Sequence, residues 1–395
     1  MTLTAQSRRF ALLALFFVPG VAIASWVTRT PAIRDLLGAS TAEMGLVLLG
    51  LSLGSITGIL SSGPLSAKLG TKPVIVTGMI SITISMLVVG LGALTGIAPM
   101  VAIGLALFGL GMGGSEVALN IEGADLEQVM NRTVLPAMHG CFSLGTVVGA
   151  VLGMIFTAAQ FSVVIHLILV AVLTLVLFLI GIWRFGPGIP RTPVARSSST
   201  ETSTATPLWK DRTLLLIGLI VMAMAFAEGS ATDWLPLVMV DGHGFDAKWG
   251  SAVYALFAAA MTIGRFSGEW ILKRVTRVNV VRLSALLGAV GLAAVVFVDN
   301  QIIAAAAVVL WGLGASLGFP LALTAAGESG PRSNARVSLV ATLGYVAFLI
   351  GPPLLGFVGE QVGLRHALLL VVALIVIALI AAPAVRKRDA HEVTP

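Results

Sequence analysis

The sequence is poor in charged residues and has very few cysteines. Only 11% of its 395 residues are charged while 57% are hydrophobic, a balance that excludes an ordinary soluble domain. The single cysteine, Cys141, excludes an internal disulfide and a cysteine-built zinc site. No Gly-rich phosphate loop ending in Lys-Ser or Lys-Thr is present, and the histidines are scattered. We therefore expect no enzymatic activity, no ATP drive, no metal and no cofactor.

Long apolar windows are what the sequence has in abundance. Twelve windows of about 20 residues follow one another, each long enough to cross a hydrocarbon core of roughly 30 Å as a helix. Helices are expected because a bilayer offers no water to satisfy an open backbone. The sequence therefore predicts an all-α membrane protein with twelve transmembrane helices, the eighth of them over residues 251–271.

A stretch rich in Ser, Thr and Pro divides the twelve windows into six and six. It predicts a cytoplasmic linker at residues 186–210 between helical bundles at residues 1–185 and 211–395. The two halves also match each other at a constant offset of 205 positions. The matched pairs include Pro31 and Pro236, Gly45 and Gly250, Gly63 and Gly268, and Lys68 and Lys273. We therefore expect two six-helix bundles related by a pseudo-twofold axis.

The distribution of Lys and Arg predicts the orientation in the membrane. With the amino terminus inside, nineteen of the 24 basic residues fall on the cytoplasmic side and four outside, while Arg265 lies within a span. This asymmetry places both termini in the cytoplasm and the chain in the inner (plasma) membrane. The net charge of +6 is then a topology signal, and no nucleic-acid partner is expected. We expect a monomer in the lipid bilayer.

The run GGSEVALNIEGADLEQ follows forty residues without any charge, and it contains four acids. Glu116 and Asn120 share one helical face, and His139 on the next span is expected at a similar depth. A carboxylate within a span is costly unless it faces water, a partner or a proton. Glu116, Asn120 and His139 are therefore candidates for proton coupling, and a purely structural tie is the alternative. Asp125 and Glu127 are expected to be solvated loop acids beside Arg132.

A second group of polar residues lies at the ends of spans one and seven, which the matched prolines align. Trp26 and Arg29 correspond in this way to the region of Glu228, Asp233 and Trp234. Opposite charges on these spans could pair across a solute pathway, and the tryptophans could stack on a sugar-like ring or anchor the membrane interface.

Further candidates lie on spans eight, ten and eleven. Arg265 and Glu269 have the i, i+4 spacing of a helical ion pair, which favours a gate or an architectural role. The polar-edged residues Trp311, Thr324 and Tyr345 are candidate solute contacts, with core packing as the alternative.

The loop between spans two and three, GPLSAKLGTKPVI, and its repeat GEWILKRVTRVNV resemble the signature loop of the major facilitator superfamily. The first copy keeps Gly63, Lys68, Gly70 and Lys72 but has Ala67 where the family has an acid. The repeat supplies further candidates for a cytoplasmic gate loop, which are Arg265, Gly268, Glu269, Lys273 and Arg277. The resemblance implies two bundles around a central cavity lined by spans one, four, seven and ten.

Three other stretches, EVALNIEGADLE, LPAMHGCFSLG and GPPLLGFVGE, resemble the bacterial branch of MosC-like proteins, proposed carriers of an inositol-derived rhizopine. The resemblance implies a secondary active transporter that moves a small polar solute, such as a sugar or polyol, by alternating access and with proton coupling. The alternatives are an exporter of amphipathic compounds and a non-transporting membrane sensor or scaffold.

Overall fold

The computed structural model describes residues 5–189 and 208–386. Most of the predicted linker at 186–210 lies outside the described residues. So do four of the basic residues in the topology count, Arg191, Arg196, Lys387 and Arg388.

The described chain is helical. The helices of the first half are α1 (Ala5–Val27), α2 (Thr30–Leu37), α3 (Thr41–Leu69), α4 (Thr71–Thr95), α5 (Ala98–Met130), α6 (Leu135–Ala158) and α7 (Val163–Phe185). Those of the second half are α8 (Arg212–Leu237), α9 (Ala247–Leu272), α10 (Arg277–Phe297), α11 (Gln301–Glu328), α12 (Ser333–Val362), α13 (Leu364–Ala367) and α14 (Leu369–Ala381).

Eleven spans of the described chain are long and apolar enough to cross a membrane, the last of them combining α13 and α14. The eighth predicted span corresponds to α9, which is not among the eleven. At 26 residues α9 is about 39 Å long, so composition rather than length sets it apart. It carries Arg265 and Glu269 within its last two turns. The all-helical membrane architecture predicted from the sequence is confirmed, and its least apolar span is one that bears a functional candidate.

Short local signals fix the helix ends. Pro31 stands in the first turn of α2, where its missing N–H costs no hydrogen bond, and Gly38 ends that helix in the left-handed region. Ser40 and Glu43 form a reciprocal capping box at the start of α3. Gly70, with φ +88°, joins α3 directly to α4, and this positive φ explains why the loop has a glycine there.

The helices form two compact units. The first contains the described residues up to 189 together with residues 236–258, and the second contains residues 208–235 together with residues 259–386. In the first unit α1 packs on α6 and α7, while α3 and α4 pack on α5. In the second unit α10 packs on α11 and α14.

Glycines allow the close packing of α1 on α6. A Cβ added to Gly149 would lie 2.3 Å from the carbonyl oxygen of Val21, and one added to Gly145 would lie 2.5 Å from that of Phe17. Any larger side chain at these positions would push the two backbones apart. Gly145 and Gly149 therefore form the contact surface for α1, and Gly153, one turn further on, lies against Thr28 just beyond the end of α1.

Candidate functional site

In the second unit, an ion pair joins α8 to α9 within the apolar part of the helices. Nη2 of Arg265 donates to Oε1 of Glu228 at 2.7 Å, and the two side chains are 29% and 21% exposed. Glu228 lies about 24 Å along α8 from its first residue, at 1.5 Å per residue. The i, i+4 spacing predicted an ion pair between Arg265 and Glu269. The structure instead pairs Arg265 with Glu228 and Glu269 with Lys273.

Two buried tryptophans and a second acid lie in or against α8. The indole Nε1 of Trp311, which is completely buried, donates to the carbonyl oxygen of Ala227 at 3.1 Å. Asp233 is 7% exposed and forms no hydrogen bond or ion pair with any described residue. Trp234 is fully buried, and its Nε1 has no acceptor among the described residues. Helix α8 thus carries a paired, partly exposed carboxylate at Glu228 and an unpaired, buried one at Asp233.

In the first unit, Arg29 binds a histidine that the sequence analysis did not include in any site. Nε of Arg29 donates to Nδ1 of His166 at 2.9 Å, and Nη2 donates to the carbonyl oxygen of Phe161 at 3.0 Å. Arg29 is 4% exposed and His166 is completely buried. Because both partners are neutral, the Arg29 charge is not compensated by any carboxylate of the described residues.

Trp26 lies one turn before Arg29 and is also buried, with no acceptor for its Nε1 among the described residues. The burial of Trp26 and Trp234 is unlike that of an interfacial belt. An exposed environment is instead found at Trp183, Trp209, Trp249 and Trp270.

The proposed proton cluster is spread over different environments. Glu116 and Asn120 are half-buried on α5, whereas His139 on α6 is exposed and packs edge-on against Phe16, with ring centroids 5.1 Å apart. The side-chain oxygen of Asn120 is buried and has no donor among the described residues. The assignment of these three residues to proton coupling stays a prediction.

The most buried acid of the Glu-rich run is one that the sequence analysis did not select. Glu122 is 0% exposed and accepts hydrogen bonds from Arg8, from the hydroxyl of Thr71 and from the backbone N–H of Ile189, the last at 2.7 Å. Asp125 also binds Arg8, at 2.7 Å. Glu122 therefore links α1, α4, α5 and the segment that follows α7.

The other loop acid has a local structural role. Glu127 accepts from the backbone N–H groups of Val134 and Leu135 at 2.6 and 2.9 Å, and so caps the start of α6. The expectation that Asp125 and Glu127 are solvated acids beside Arg132 is corrected by these contacts, because each acid has a defined donor elsewhere.

The first signature loop contributes to the same end of the unit. Lys72 donates to the carbonyl oxygen of Gly186 at 2.6 Å, while Lys68 and Gly63 are exposed. Position 67 is an alanine, and the nearby buried carboxylate is that of Glu122, which binds Thr71 at the start of α4. The loop has no acid of its own at position 67, but Glu122 on α5 supplies a carboxylate to Thr71 at the end of the loop.

The repeated loop in the second unit has its own ion pairs. Lys273 pairs with Glu269 at 2.8 Å, and Arg277 pairs with Glu328 at the end of α11, also at 2.8 Å. A Cβ added to Gly268 would lie 2.8 Å from the side chain of Leu317. The two units share this arrangement. In the first, Thr71 at the start of α4 binds Glu122 on α5, and in the second, Arg277 at the start of α10 binds Glu328 at the end of α11.

A further ion pair joins the start of α8 to the start of α12. Arg336, which is 4% exposed, donates to Asp211 and to Ser329, and Asp211 also accepts from the backbone N–H of Leu214 at 3.1 Å. Burial alone would raise the pKa of Asp211, but these hydrogen bonds lower it below its usual value. Asp211 lies just before α8 and therefore outside the spans.

The remaining solute candidates differ in exposure. Tyr345 is half-buried, while Thr324 is exposed and its hydroxyl donates to the carbonyl oxygen of Pro320 at 3.0 Å.

Five ionisable residues form buried or partly buried contacts that the sequence did not predict, and they are Arg8, Glu122, His166, Asp211 and Arg336. Arg8, Asp211 and Arg336 stand within a few residues of a helix end, where a charge is common in any sequence, and Glu122 lies eight residues before the end of α5. No local pattern in the sequence links His166 to Arg29, which lies 137 positions away.

Curated relatives match most of the chain. An uncharacterized MFS-type transporter of Yersinia pestis is 29% identical over 353 residues, which cover 89% of each chain. Membrane protein MosC of Rhizobium meliloti is 24% identical over 366 residues, covering 92% of this chain and 86% of MosC.

Solved structures share the fold at low sequence identity. The nucleoside transporter NupG aligns with a TM-score of 0.76 at 15% identity, covering 95% of this chain and 99% of NupG. A D-xylose-proton symporter aligns with a TM-score of 0.76 at 12% identity, covering 96% of both chains. The family model "Major Facilitator Superfamily" matches residues 10–345. The chain is thus a multi-pass membrane protein that belongs to the Major Facilitator Superfamily.

Proposed function

We propose that this protein is a secondary active transporter that moves a small polar solute across the inner membrane by alternating access, in exchange for or together with protons. The observation that carries the proposal is the ion pair of Glu228 and Arg265 within helices α8 and α9. Ionisable residues within membrane helices are costly, and they mark solute or ion pathways more often than they serve packing.

The partial exposure of this pair supports a role in a wet pathway. Glu228 and Arg265 keep 21% and 29% of their side-chain surface accessible, so a solute or an ion can reach the pair. The pair would offer a hydroxyl-rich solute a carboxylate that accepts hydrogen bonds and a guanidinium that donates them.

Asp233 is the strongest candidate for the proton-binding group. It lies five residues after Glu228 on the same helix, it is buried, and no described cation balances it. A buried carboxylate without a counter-charge is less costly when it is protonated, so it can take up and release a proton as its surroundings become dry or wet. Glu116 stays a second candidate.

The related proteins are consistent with this proposal. The structural neighbours include a nucleoside transporter and a D-xylose-proton symporter, each of which moves a small polar solute. Their identity to this chain is too low to carry over a substrate, so the proposed solute class rests on the accessible charged pair of Glu228 and Arg265.

The proposal is tested with purified protein in liposomes that contain a pH-sensitive dye. We expect counterflow of at least one polar solute among D-xylose, myo-inositol, uridine and D-glucuronate, and a pH change inside the vesicles when that solute is added. Asp233→Asn should keep counterflow, which needs no net proton movement, and should lose the pH change. Glu116→Gln tests the second proton site in the same way.

The outcomes separate the alternatives. Counterflow without a pH change in the wild-type protein would remove proton coupling. Movement of an amphipathic cation such as ethidium, with no exchange of any polar solute, would favour an exporter. No movement of either class would favour a sensor or scaffold and would contradict the proposed function.

A further inference from the structure

Arg29 carries a buried charge that the protein does not balance. Its guanidinium is 4% exposed, and its two bonded partners are a neutral imidazole and a backbone carbonyl. The rings of Phe156 and Phe161 lie against this region, and the Phe156 ring centroid is 4.7 Å from that of His166. In such apolar surroundings a cation without a counter-ion is costly, and natural proteins rarely keep one without use.

The guanidinium still has free donors. Of its five N–H groups, Nε–H is taken by His166 and one N–H of Nη2 by Phe161. The other three belong to Nη1 and Nη2, at the end of the fork. This is an edge at which arginine takes both oxygens of a carboxylate in parallel hydrogen bonds.

Two neighbouring side chains add further donors without acceptors. Because Nδ1 of His166 accepts from Arg29, the imidazole is neutral and its proton is on Nε2, which is buried and has no partner among the described residues. Nε1 of Trp26, three positions before Arg29 in the chain, is likewise buried and has no acceptor among the described residues. Buried polar groups normally form hydrogen bonds. Because all the unbonded groups of these three side chains are donors, the partner they require is a group with several acceptor atoms.

We propose that the cluster of Trp26, Arg29 and His166 binds a carboxylate group of the transported solute. A carboxylate has only acceptor oxygens and one negative charge, so it supplies both things that the cluster lacks. This inference rests on the proposed transport function, and it narrows the solute to a polar molecule with an acid group. The near-complete burial of Arg29 means that the solute reaches it only when the surrounding helix ends separate, as alternating access requires.

The experiment measures the thermal unfolding of the full-length protein in detergent with pairs of compounds that differ in one carboxylate. The pairs are D-glucuronate with D-glucose and D-galacturonate with D-galactose, and acetate serves as the minimal acid. For the wild-type protein we expect at least one acid to raise the Tm more than its neutral partner. Arg29→Gln should weaken acid binding about tenfold or more, because a charge-assisted bidentate contact is lost. Arg29→Lys should weaken it less.

A second variant, Trp26→Phe, tests the site even if Arg29→Gln does not fold, because it leaves the Arg29 charge in place. It removes one N–H donor and keeps an aromatic ring, and it should weaken acid binding severalfold. If no acid protects more than its neutral partner, or if only phosphate esters protect, the carboxylate site is wrong. If Arg29→Gln folds less stably but keeps the preference for acids, Arg29 is only a tie between α1 and the loop before α7.

The same preparation separates this inference from the proposed function. Counterflow of a neutral sugar in liposomes, together with no preference for acids, would overturn the carboxylate site and leave transport intact. Absence of counterflow for both acids and neutral solutes would overturn transport itself.

Discussion

Glu228 on α8 accepts a hydrogen bond from Arg265 on α9 at 2.7 Å, and both residues lie well inside their helices. The two side chains are 37 positions apart in sequence, and the contact has the short distance of a charge-assisted hydrogen bond. Such a pair either holds two helices together or exchanges partners during transport, and the two roles predict different behaviour of conservative variants.

Glu228→Gln should reduce solute uptake about tenfold or more while it leaves the Tm nearly unchanged, because the amide keeps a hydrogen bond to Arg265 but not the charge. Uptake in liposomes and thermal unfolding measure the two effects separately. Glu269→Gln is the matched control, since its pair with Lys273 is 84% and 68% exposed and should contribute little. A large loss of stability with unchanged uptake would assign Glu228 a purely structural role.

Glu122→Gln should destabilise the first unit by about 1–3 kcal/mol, because the buried carboxylate accepts from Arg8, Thr71 and Ile189 together. The unfolding temperature can be followed with a thiol-reactive dye that reports on Cys141, the single cysteine. Asp125→Asn is the control, and it should cost about 0–1 kcal/mol because the Asp125 side chain is 42% exposed. Equal effects of the two variants would contradict the central role given to Glu122.

Gly149→Ala should lower stability by about 1–3 kcal/mol, because the added Cβ would lie 2.3 Å from the carbonyl oxygen of Val21 and would force α1 and α6 apart. Gly90→Ala is the matched control in a neighbouring helix, where the nearest atom would be the Cβ of Leu167 at 3.6 Å. It should be neutral or stabilising because alanine favours the helix. A Tm for Gly149→Ala at or above that of the wild-type protein would show that the helices are not in tight contact there.

The ion pair of Asp211 and Arg336 predicts a dependence of stability on pH. Because the folded protein holds the pKa of Asp211 below its usual value, the pair stabilises the fold above the unfolded pKa of about 4. This contribution is lost as the pH falls through the lower, folded pKa. Asp211→Asn should therefore have a lower Tm than the wild-type protein at pH 7, and the gap should narrow as the pH falls below about 4. A gap that stays constant over this range would mean that the Asp211 charge does not stabilise the fold.

The sequence alone predicts the membrane helices well. Hydropathy and length place α1 and α5 because each span must be apolar over about 20 residues whatever its neighbours are. The least apolar of the predicted spans corresponds to α9, which is a helix of 26 residues although it carries Arg265. The short helix α2 was not predicted, since Pro31 and Gly38 mark its ends only weakly in a sequence.

The sequence alone thus predicted the membrane helices and the polar residues within them. Both follow from the identity of each residue, because a span must be apolar over its length and a charge within it is costly. Only the tertiary structure decided which partner each charge has. Arg29 binds His166, Arg265 binds Glu228, and Arg8 binds Glu122. Each of these contacts joins residues at least 37 positions apart in the chain. The close packing that brings the helices together leaves no periodic signal in the sequence of which charges will meet.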